Sequence, residues 1–253
     1  MSVKIGAQFY TIRNFCKTLD EFEKSCKKIS EIGYKYVQLS GIGNFSAQSI
    51  KAVLDKYGLQ VVFTHREQKN FLASLEKEIE FHKALGCKVS GISAIPGSNV
   101  REETITSFID NFLPVAKRLK EAGMDFSYHN NALDFEKIGD KYVLDIILEK
   151  MGRENIKLIL DIYWIAFAGL SPAKLIRKYS GNIACVHFKD LKVSNNEIRF
   201  VEVGKGNIDW AEVISACEEA GVEYAMVEQD VCDKNPFDSL KISYEFLKEK
   251  GLE

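Results

Sequence analysis

The sequence predicts a single-domain (β/α)8 barrel of the TIM type that spans residues 1–253. Short β-rich runs alternate with longer segments whose apolar residues have helical spacing, and this strand–helix unit occurs eight times. The length of 253 residues is typical of one such barrel. Because parallel strands need crossover connections, the alternation implies a parallel sheet. An open, doubly wound sheet is the alternative, but no GxGxxG motif follows the first strand.

The predicted strands are Lys4–Tyr10, Tyr34–Leu39, Gln60–Thr64, Lys88–Ala94, Asp125–His129, Lys157–Asp161, Ile183–His187 and Tyr224–Glu228. Thr18 and Glu21 have the spacing of a capping box at the start of the first helix. Ser171-Pro172 predicts the beginning of a later helix. Several glycines follow helical patterns and predict helix ends with positive φ, namely Gly33, Gly58, Gly86, Gly123 and Gly221.

Composition excludes several classes of partner. The formal net charge is -2, which argues against a nucleic-acid or anionic membrane partner because such binding needs a dominant basic patch. The sequence contains no apolar run of about 18 residues and no signal-peptide pattern at its N-terminus, so we expect a cytoplasmic protein without a membrane span. The six cysteines form no CxxC pair and predict buried fillers rather than disulfides. The oligomeric state stays open, a homo-oligomer included.

The residues at the ends of the last four strands predict a metal site. These residues are His129, Asp161, His187 and Glu228. In a β/α barrel the active site lies at the carboxyl ends of the strands, where the four side chains converge. Buried charges there are costly unless they are paired or bound to a metal. Two histidines and two carboxylates suit one divalent ion of Mn, Zn, Co or Fe, with Mg also considered. Asp161 alone could instead cap a helix, and Glu228 alone could pair with a lysine.

Three residues are candidates for catalysis. Glu228 is the first candidate for a base, in addition to its role as a ligand. Lys189 could stabilise an oxyanion or donate a proton, or it could simply pair with Asp190 or Glu228. His65, at the end of the third strand, could bind a substrate hydroxyl or act as a second acid or base.

Other positions predict substrate contacts. Gln8 and Tyr10 on the first strand and Asn131 after the fifth suit sugar hydroxyls, and Trp164 could stack on a sugar ring or pack at the barrel rim. His82 lies in a helical pattern; we expect it on the outer face and exclude it from the site.

Anion contacts are a separate question. The stretch Gly204–Trp210 could bind phosphate, although a loop that only shapes the site is preferred because the Walker spacing is absent. Arg13 and Arg66 are further candidate anion contacts.

The same segments carry a family resemblance over nearly the whole chain. Ile5–Arg13 is similar to the family's first strand, and Tyr128–Asn131 with Phe135-Glu136 is similar to the YHNHxFEF segment of one large branch. Further matching segments are Asp161–Trp164 with Ala168-Gly169 and Pro172, His187–Asp190, Gly204–Trp210 and Val227–Asp230. Their order and spacing resemble the xylose isomerase-like barrel family, which includes sugar phosphate isomerases and epimerases, inosose dehydratases and ketose 3-epimerases.

The resemblance implies a metal held by Glu, Asp, His and Glu on strands five to eight. Asp161, His187 and Glu228 match the last three of these positions, whereas His129 stands where the first Glu would be. Ketose 3-epimerases use two metal-bound glutamates on opposite faces of the substrate, and this chain keeps one. Asn131 replaces the second His of the YHNH pattern, and Asp134 stands where the branch has the first Glu of that segment.

These observations favour a metal-dependent sugar, sugar phosphate or polyol isomerase or epimerase that abstracts a proton next to a carbonyl. A lyase or dehydratase acting on an inosose or a 3-keto-glycoside is the first alternative, because elimination needs one base and one acid. A non-catalytic sugar-binding barrel is the second. The zinc endonucleases that the family also contains are disfavoured by the four histidines and the negative net charge of this chain.

Overall fold

The computed structural model describes residues 2–93, 95 and 100–253. Eight parallel strands close into a barrel in which each strand pairs with its neighbours in sequence, and the last strand pairs with the first. The strands are β1 (Lys4–Gln8), β2 (Tyr36–Leu39), β3 (Gln60–His65), β4 (Val89–Ile92), β5 (Asp125–His129), β6 (Lys157–Asp161), β7 (Ile183–Phe188) and β8 (Tyr224–Val227). The predicted (β/α)8 barrel is therefore confirmed.

Helices cover the outside of the barrel, and their apolar faces form the core with the strands. They are α1 (Leu19–Ile32), α2 (Ala47–Lys56), α3 (Gln68–Leu85), α4 (Glu102–Glu121), α5 (Val143–Met151), α6 (Ile162–Phe167), α7 (Pro172–Lys178), α8 (Trp210–Glu219) and α9 (Pro236–Glu249). None of the helices in the described part of the chain is long and apolar enough to cross a membrane.

The predicted helix signals are confirmed. Thr18 and Glu21 form a reciprocal capping box at the start of α1, and Ser171 accepts a hydrogen bond from the backbone of Lys174 at the start of α7. All five glycines predicted to follow helices have positive φ. The cysteines form no disulfides, and five of the six are buried, as expected for apolar fillers.

Some predicted boundaries are wrong. β1 ends at Gln8, and Tyr10 lies in a 3-10 helix (Phe9–Phe15) rather than on the strand. The Gln8 side chain causes this early end, because its Oε1 accepts a hydrogen bond from the Tyr10 backbone N–H at 3.2 Å and starts the turn. β2 begins at Tyr36, two residues later than predicted, and Glu228 lies one residue beyond β8. The predicted end of β4 at Ala94 lies outside the described residues.

The expectation that His82 faces outward is also wrong. Its side chain is fully buried beneath α3, where the Nε2 and Thr64 Oγ1 are 2.7 Å apart and Nδ1 lies 2.6 Å from the carbonyl oxygen of Glu78. His82 therefore joins α3 to β3 and lies outside the strand-end site, as its exclusion anticipated.

Two β-hairpins interrupt the strand–helix alternation. The larger one follows β7 and pairs Asp190–Ser194 with Glu197–Val201. Its turn contains Asn195 and Asn196, both with positive φ, and this conformation suits the right-handed twist of a two-residue hairpin turn. The smaller hairpin pairs Lys137–Ile138 with Lys141–Tyr142. The Asn-Asn pair between alternating apolar residues was a signal in the sequence that the prediction missed.

A buried carboxyl group holds the turn that follows β5. Asp134 is 1% exposed, and its two oxygens accept hydrogen bonds from the Tyr128 hydroxyl at 2.6 Å and from the Asn131 backbone N–H at 2.7 Å. Asn131 in turn caps the short 3-10 helix Ala132–Phe135. Burial raises the pKa of Asp134 to about 6, although both hydrogen bonds oppose the shift. Asp134, which departs from the family segment, therefore orders the end of the strand that carries His129.

The raised pKa predicts a pH dependence of stability. Between about pH 4 and pH 6 the unfolded chain ionises Asp134 while the folded chain keeps it protonated, so stability falls as the pH rises through this window. The Asp134→Asn variant cannot ionise. We expect wild type to lose roughly 2 kcal/mol relative to this variant between pH 4 and pH 7, measured by urea unfolding. Asp110→Asn, at an exposed position on α4, controls for the loss of one charge. Parallel pH profiles for wild type and Asp134→Asn would contradict the assignment.

Candidate metal centre and active site

Four side chains meet at the carboxyl end of the barrel. His129 ends β5, Asp161 ends β6 in register with His187 on β7, and Glu228 follows β8. One ligand atom from each of these four buried residues lies within 4.8 Å of the others. The structure therefore brings together all four residues that the sequence predicts as metal ligands.

The distances within this group are short. His129 Nε2 lies 3.3 Å from Asp161 Oδ2, without the alignment of a hydrogen bond. His187 Nδ1 lies 3.0 Å from Glu228 Oε2 and 4.0 Å from Asp161 Oδ2. Ring nitrogens and carboxylate oxygens of this kind are the donors that a divalent transition metal prefers.

Gln38 on β2 sets the orientation of the His187 ring. His187 Nε2 lies 2.8 Å from Gln38 Oε1, deep in the barrel. An N–H on Nε2 that donates to this amide leaves the Nδ1 lone pair directed at the carboxylates of Glu228 and Asp161. A lone pair facing two carboxylates is unfavourable unless a cation lies between them, and metal-bound histidines commonly donate their second N–H in this way. The tautomer with its proton on Nε2 is thus the one that can bind a cation through Nδ1, whereas a proton on Nδ1 would be donated to Glu228 Oε2 at 3.0 Å.

His65 and His129 present unsatisfied ring nitrogens to the same space. Among the described residues, both nitrogens of His129 and Nε2 of His65 are buried without a hydrogen-bond partner. The ring centroid of His65 lies 5.1 Å from that of His129 and 5.6 Å from that of His187. Burial, and to a smaller extent the neighbouring histidines, holds the pKa of His65 well below its usual value. Burial also lowers the pKa of His129. Both rings are therefore neutral at pH 7 and can offer a lone pair.

The two carboxylates of the group are ionised. Burial by itself would raise the pKa of Glu228, but the positive charge of Lys189 and the proximity of His187 hold this pKa well below its usual range. Lys189 and His129 likewise outweigh burial and lower the pKa of Asp161. The site thus contains two buried negative charges, which attract a cation.

Lys189 is the internal cation of the site. Its Nζ lies 2.8 Å from Asp230 Oδ2, 3.3 Å from Asp161 Oδ2 and 3.5 Å from Glu228 Oε2. Burial alone would lower its pKa, but the three carboxylates outweigh this effect and raise it above the usual value. The predicted pairing with Glu228 is present, whereas Asp190 is directed elsewhere. Because Asp230 makes the shortest contact, Lys189 keeps a partner when Asp161 and Glu228 bind a metal.

Asp161 has two structural roles. Its Oδ1 accepts a hydrogen bond from the Tyr163 backbone N–H at 2.9 Å and so caps α6, while Oδ2 faces His129 and Lys189. The side chain of Asn130 accepts from the Asp161 N–H at 3.0 Å and donates to the Asp161 carbonyl at 3.3 Å. Helix capping and metal binding, considered as alternatives in the sequence, are compatible because they use different oxygens.

A cavity of about 840 Å³ opens above the group. Of the residues predicted to bind or transform substrate, it is lined by His65, Lys189, Glu228, Tyr10, Asn131 and Trp164. Gln8 is fully buried and does not line the cavity. Lys189 also lies near three aromatic rings, with its Nζ 5.2 Å from the Trp164 centroid and 5.3 Å from that of Phe200 on the larger hairpin. The sequence did not predict that this hairpin reaches the site.

A divalent cation fits these residues on three grounds. The donors are ring nitrogens and ionised carboxylates, the His129 ring nitrogens have no hydrogen-bond partner among the described residues, and Gln38 contacts the second ring nitrogen of His187. His129, Asp161, His187 and Glu228 would hold the ion. Gln38, Asn130 and Asp230 support this arrangement but were missed. Their only signals were a polar residue inside a strand and two polar residues just beyond strand ends.

Comparison with known proteins identifies the family. The chain belongs to the xylose isomerase-like TIM barrel family, whose model matches residues 26–250. The family resemblance of the sequence motifs is thereby confirmed.

Curated relatives of the chain are enzymes. It is 22% identical to the inosose dehydratase of Geobacillus kaustophilus, over 87% of this chain and 84% of the relative. It is 26% identical to the 2-oxo-tetronate isomerase of Haemophilus influenzae, over 86% of this chain and 89% of the relative. A solved sugar phosphate isomerase/epimerase from Parabacteroides distasonis superposes with a TM-score of 0.81 at 18% identity, over 98% of this chain and 94% of that one, and so shares the fold.

The four-residue group predicts metal binding. We expect the purified protein to bind about one divalent ion per chain, and Asp161→Asn and Glu228→Gln to lose it, because each removes one negatively charged donor. Metal analysis after dialysis and calorimetric titration with Mn²⁺ would measure this. Glu67→Gln, a carboxylate at the cavity rim, is the matched control and should bind normally. Unchanged metal content in both site variants would exclude the proposed centre.

Gln38 offers a test that leaves the ligands untouched. Gln38→Leu removes the acceptor for His187 Nε2 and should weaken Mn²⁺ binding by roughly 10–100-fold, the usual effect of losing such a supporting contact. Gln38→Glu keeps an acceptor at this position and should retain most of the affinity. Equal Mn²⁺ affinity for wild type and Gln38→Leu would show that His187 is not oriented through this contact.

Proposed function

We propose that this protein is a divalent-metal-dependent isomerase or epimerase that moves a proton next to the carbonyl group of a sugar or related polyhydroxy compound, and that it acts in the cytoplasm. The observation that carries the proposal is the position of Glu228. It belongs to the candidate metal group and also lines the cavity, together with His65 and Lys189. The enzymatic relatives support a reaction of this class.

The chain supplies a base and a cation at adjacent positions. The Glu228 carboxylate would take the proton from the carbon next to the carbonyl, and the electron pair left behind would move onto the carbonyl oxygen. The Lys189 ammonium, 3.5 Å from Glu228 Oε2, would stabilise the negative charge that develops there. A bound divalent ion would supply Lewis-acid polarisation of the carbonyl. Isomerisation is complete when a proton is placed on the former carbonyl carbon, the neighbouring hydroxyl loses its proton to form the new carbonyl, and the former carbonyl oxygen gains a proton. Epimerisation is complete when the proton returns to the original carbon on its opposite face.

His65 is the second proton-transfer group in this proposal. Its neutral ring lines the cavity, and its buried Nε2 has no hydrogen-bond partner among the described residues. The lone pair of this neutral ring could therefore accept the proton of a substrate hydroxyl. Tyr10, Asn131 and Trp164 line the same cavity and would orient the substrate through hydroxyl contacts and ring stacking.

One observation favours a dehydratase as a second candidate. Of the two carboxylates in the metal group, Glu228 lines the cavity and Asp161 does not, while His129 stands where a further carboxylate would serve as the opposing base. One base and one acid suffice for elimination. Glu228 would remove the proton next to the carbonyl, and the hydroxyl on the following carbon would leave as water with a proton from the Lys189 ammonium, the protonated group of the site.

Solvent exchange tests the proposal and separates the two reactions. In D₂O with Mn²⁺, we expect deuterium to enter ketoses or inososes next to the carbonyl, as measured by NMR. Deuterium incorporation without loss of water supports isomerisation, whereas formation of an unsaturated product supports the dehydratase. Glu228→Gln should slow exchange on the order of 10²–10⁴-fold, and His65→Gln should also slow it, because each removes a proton-transfer group. Glu67→Gln is the control. Sugar-dependent thermal stabilisation without exchange would point instead to a non-catalytic sugar-binding barrel.

A further inference from the structure

The cavity above the metal group is larger than the proposed reaction needs. Its volume is about 840 Å³, in the upper part of the range of roughly 300–1,000 Å³ for pockets that enclose a drug-sized ligand. A single six-carbon sugar is smaller than such a ligand and, bound at Glu228 and Lys189, leaves most of this volume unfilled. The cavity therefore has room for a second group.

The lining residues form two groups on opposite sides of the barrel mouth. The first group lies at the ends of β5 to β8, around Glu228 and Lys189, where the proposed reaction takes place. The second lies beyond β2 and β3, which face β6 and β7 across the closed barrel. We call this second group the distal wall, and it consists of residues 39–44, Ile50, residues 66–70 and Phe81. The proposed reaction uses none of these residues.

Hydrogen bonds hold the first half of the distal wall in place. The loop after β2 is tied to the segment after β1, because the Gly43 backbone N–H donates to the carbonyl oxygen of Cys16 at 2.7 Å and Lys17 Nζ donates to that of Gly41 at 2.8 Å. Gly41 has a φ of +68°, which glycine adopts without strain. This side of the cavity is therefore formed before a ligand binds.

An ion pair holds the second half of the distal wall. Arg66 Nε and Nη2 donate to the two carboxylate oxygens of Glu78, both at 2.9 Å, and the Glu78 side chain is only 8% exposed. The guanidinium carbon of Arg66 also lies 4.4 Å from the Phe81 ring centroid. A bidentate pair of this kind fixes both side chains, so this side of the cavity is also formed in advance.

The distal wall combines apolar surface with polar groups that have no protein partner. Ile42 and Phe81 are half-buried and pack on the core from the cavity side. Ser40, Asn44 and Asn70 line the same space, and none of their side chains hydrogen-bonds another group among the described residues. Hydroxyl and amide groups can both donate and accept hydrogen bonds. Apolar patches beside such groups match a sugar ring, which has an apolar C–H face and a rim of hydroxyls.

We infer that the substrate carries a second sugar ring joined to the carbonyl-bearing sugar, and that the distal wall binds this second ring. The substrate is then a disaccharide or a glycoside of a keto-sugar. An apolar group in the same place would bury Ser40, Asn44 and Asn70 without hydrogen-bond partners, which is unfavourable. The inference rests on the proposed function for the carbonyl-bearing sugar and adds the size of the substrate and the site of its second ring.

Keto-disaccharides that contain a fructose unit test the inference. Lactulose carries a galactose on O4 of this unit and palatinose carries a glucose on O6, so both can be compared with D-fructose. Binding to Mn²⁺-loaded protein would be measured by calorimetry and by dose-dependent thermal stabilisation. We expect the better of the two disaccharides to bind at least about 10-fold more tightly than D-fructose, because the second ring adds contacts to a preformed wall. Equal, weaker or undetectable binding of both disaccharides would overturn the inference.

Two tryptophan variants locate the second ring. Asn44→Trp places a bulky side chain in the distal wall, and we expect it to abolish the gain of the disaccharide over D-fructose. Its affinity for D-fructose should change less than about twofold, because the first sugar lies at the other group of lining residues. Gln48→Trp, an exposed position on α2 outside the lining, is the matched control and should keep the gain. A full gain in Asn44→Trp would refute the assignment of the distal wall.

Asn70→Ala provides a second variant that adds no bulk. It removes one amide from the distal wall and should reduce the gain by roughly 3–10-fold, the usual effect of one lost hydrogen bond. An unchanged gain in both Asn44→Trp and Asn70→Ala would place the second ring elsewhere.

The outcome is separable from that of the proposed reaction. Solvent exchange into D-fructose without a preference for disaccharides would count against the second ring alone. A preference for disaccharides without solvent exchange would count against the proposed reaction alone, because binding is measured without turnover.

Discussion

The organisation of this barrel mouth depends on two buried carboxylates, Asp161 and Glu228, that need positive charge near them. Burial of ionised groups costs several kcal/mol unless cations or hydrogen bonds compensate. Lys189 supplies one compensating charge, and the orientation of His187 leaves a place for another. Asn130 and Gln38, which carry no charge, hold the backbone of Asp161 and the ring of His187 in position. The polar residues around the site are thus arranged to keep these two negative charges in place.

The sequence predicted the barrel and the four-residue group because both depend on local patterns. Each ligand ends or follows a strand, and the carboxyl ends of parallel strands share one edge. The supporting contacts were beyond such patterns. Gln38 and His187 are 149 residues apart, and Arg66 meets Glu78 through the packing of α3 on the barrel. Their side chains become partners only after the barrel closes, so sequence spacing could not pair them.

Errors at element boundaries have equally specific causes. Tyr10 has the aromatic character of a strand residue, but the Gln8 side chain starts a turn before it. His82 was expected on the outer face of a helix, yet Thr64 and the Glu78 carbonyl satisfy both ring nitrogens inside the protein. Asp134 is buried for a similar reason. Its oxygens accept hydrogen bonds from Tyr128 and Asn131 in place of the hydrogen bonds that an exposed carboxyl group accepts from water. At His82 and Asp134, hydrogen bonds within the protein thus allow polar side chains to be buried, although their polarity alone predicts exposure.

In the larger hairpin, the part that lies near the active centre and the turn that is exposed to solvent are at opposite ends. Phe200, near the end of the hairpin, approaches Lys189, whereas the exposed Asn195-Asn196 turn lies at the opposite end of the paired strands. The paired strands separate the turn from the active centre, so an insertion at the turn would leave the active centre unchanged. This makes the turn a suitable attachment point for a fluorescent reporter or an affinity tag.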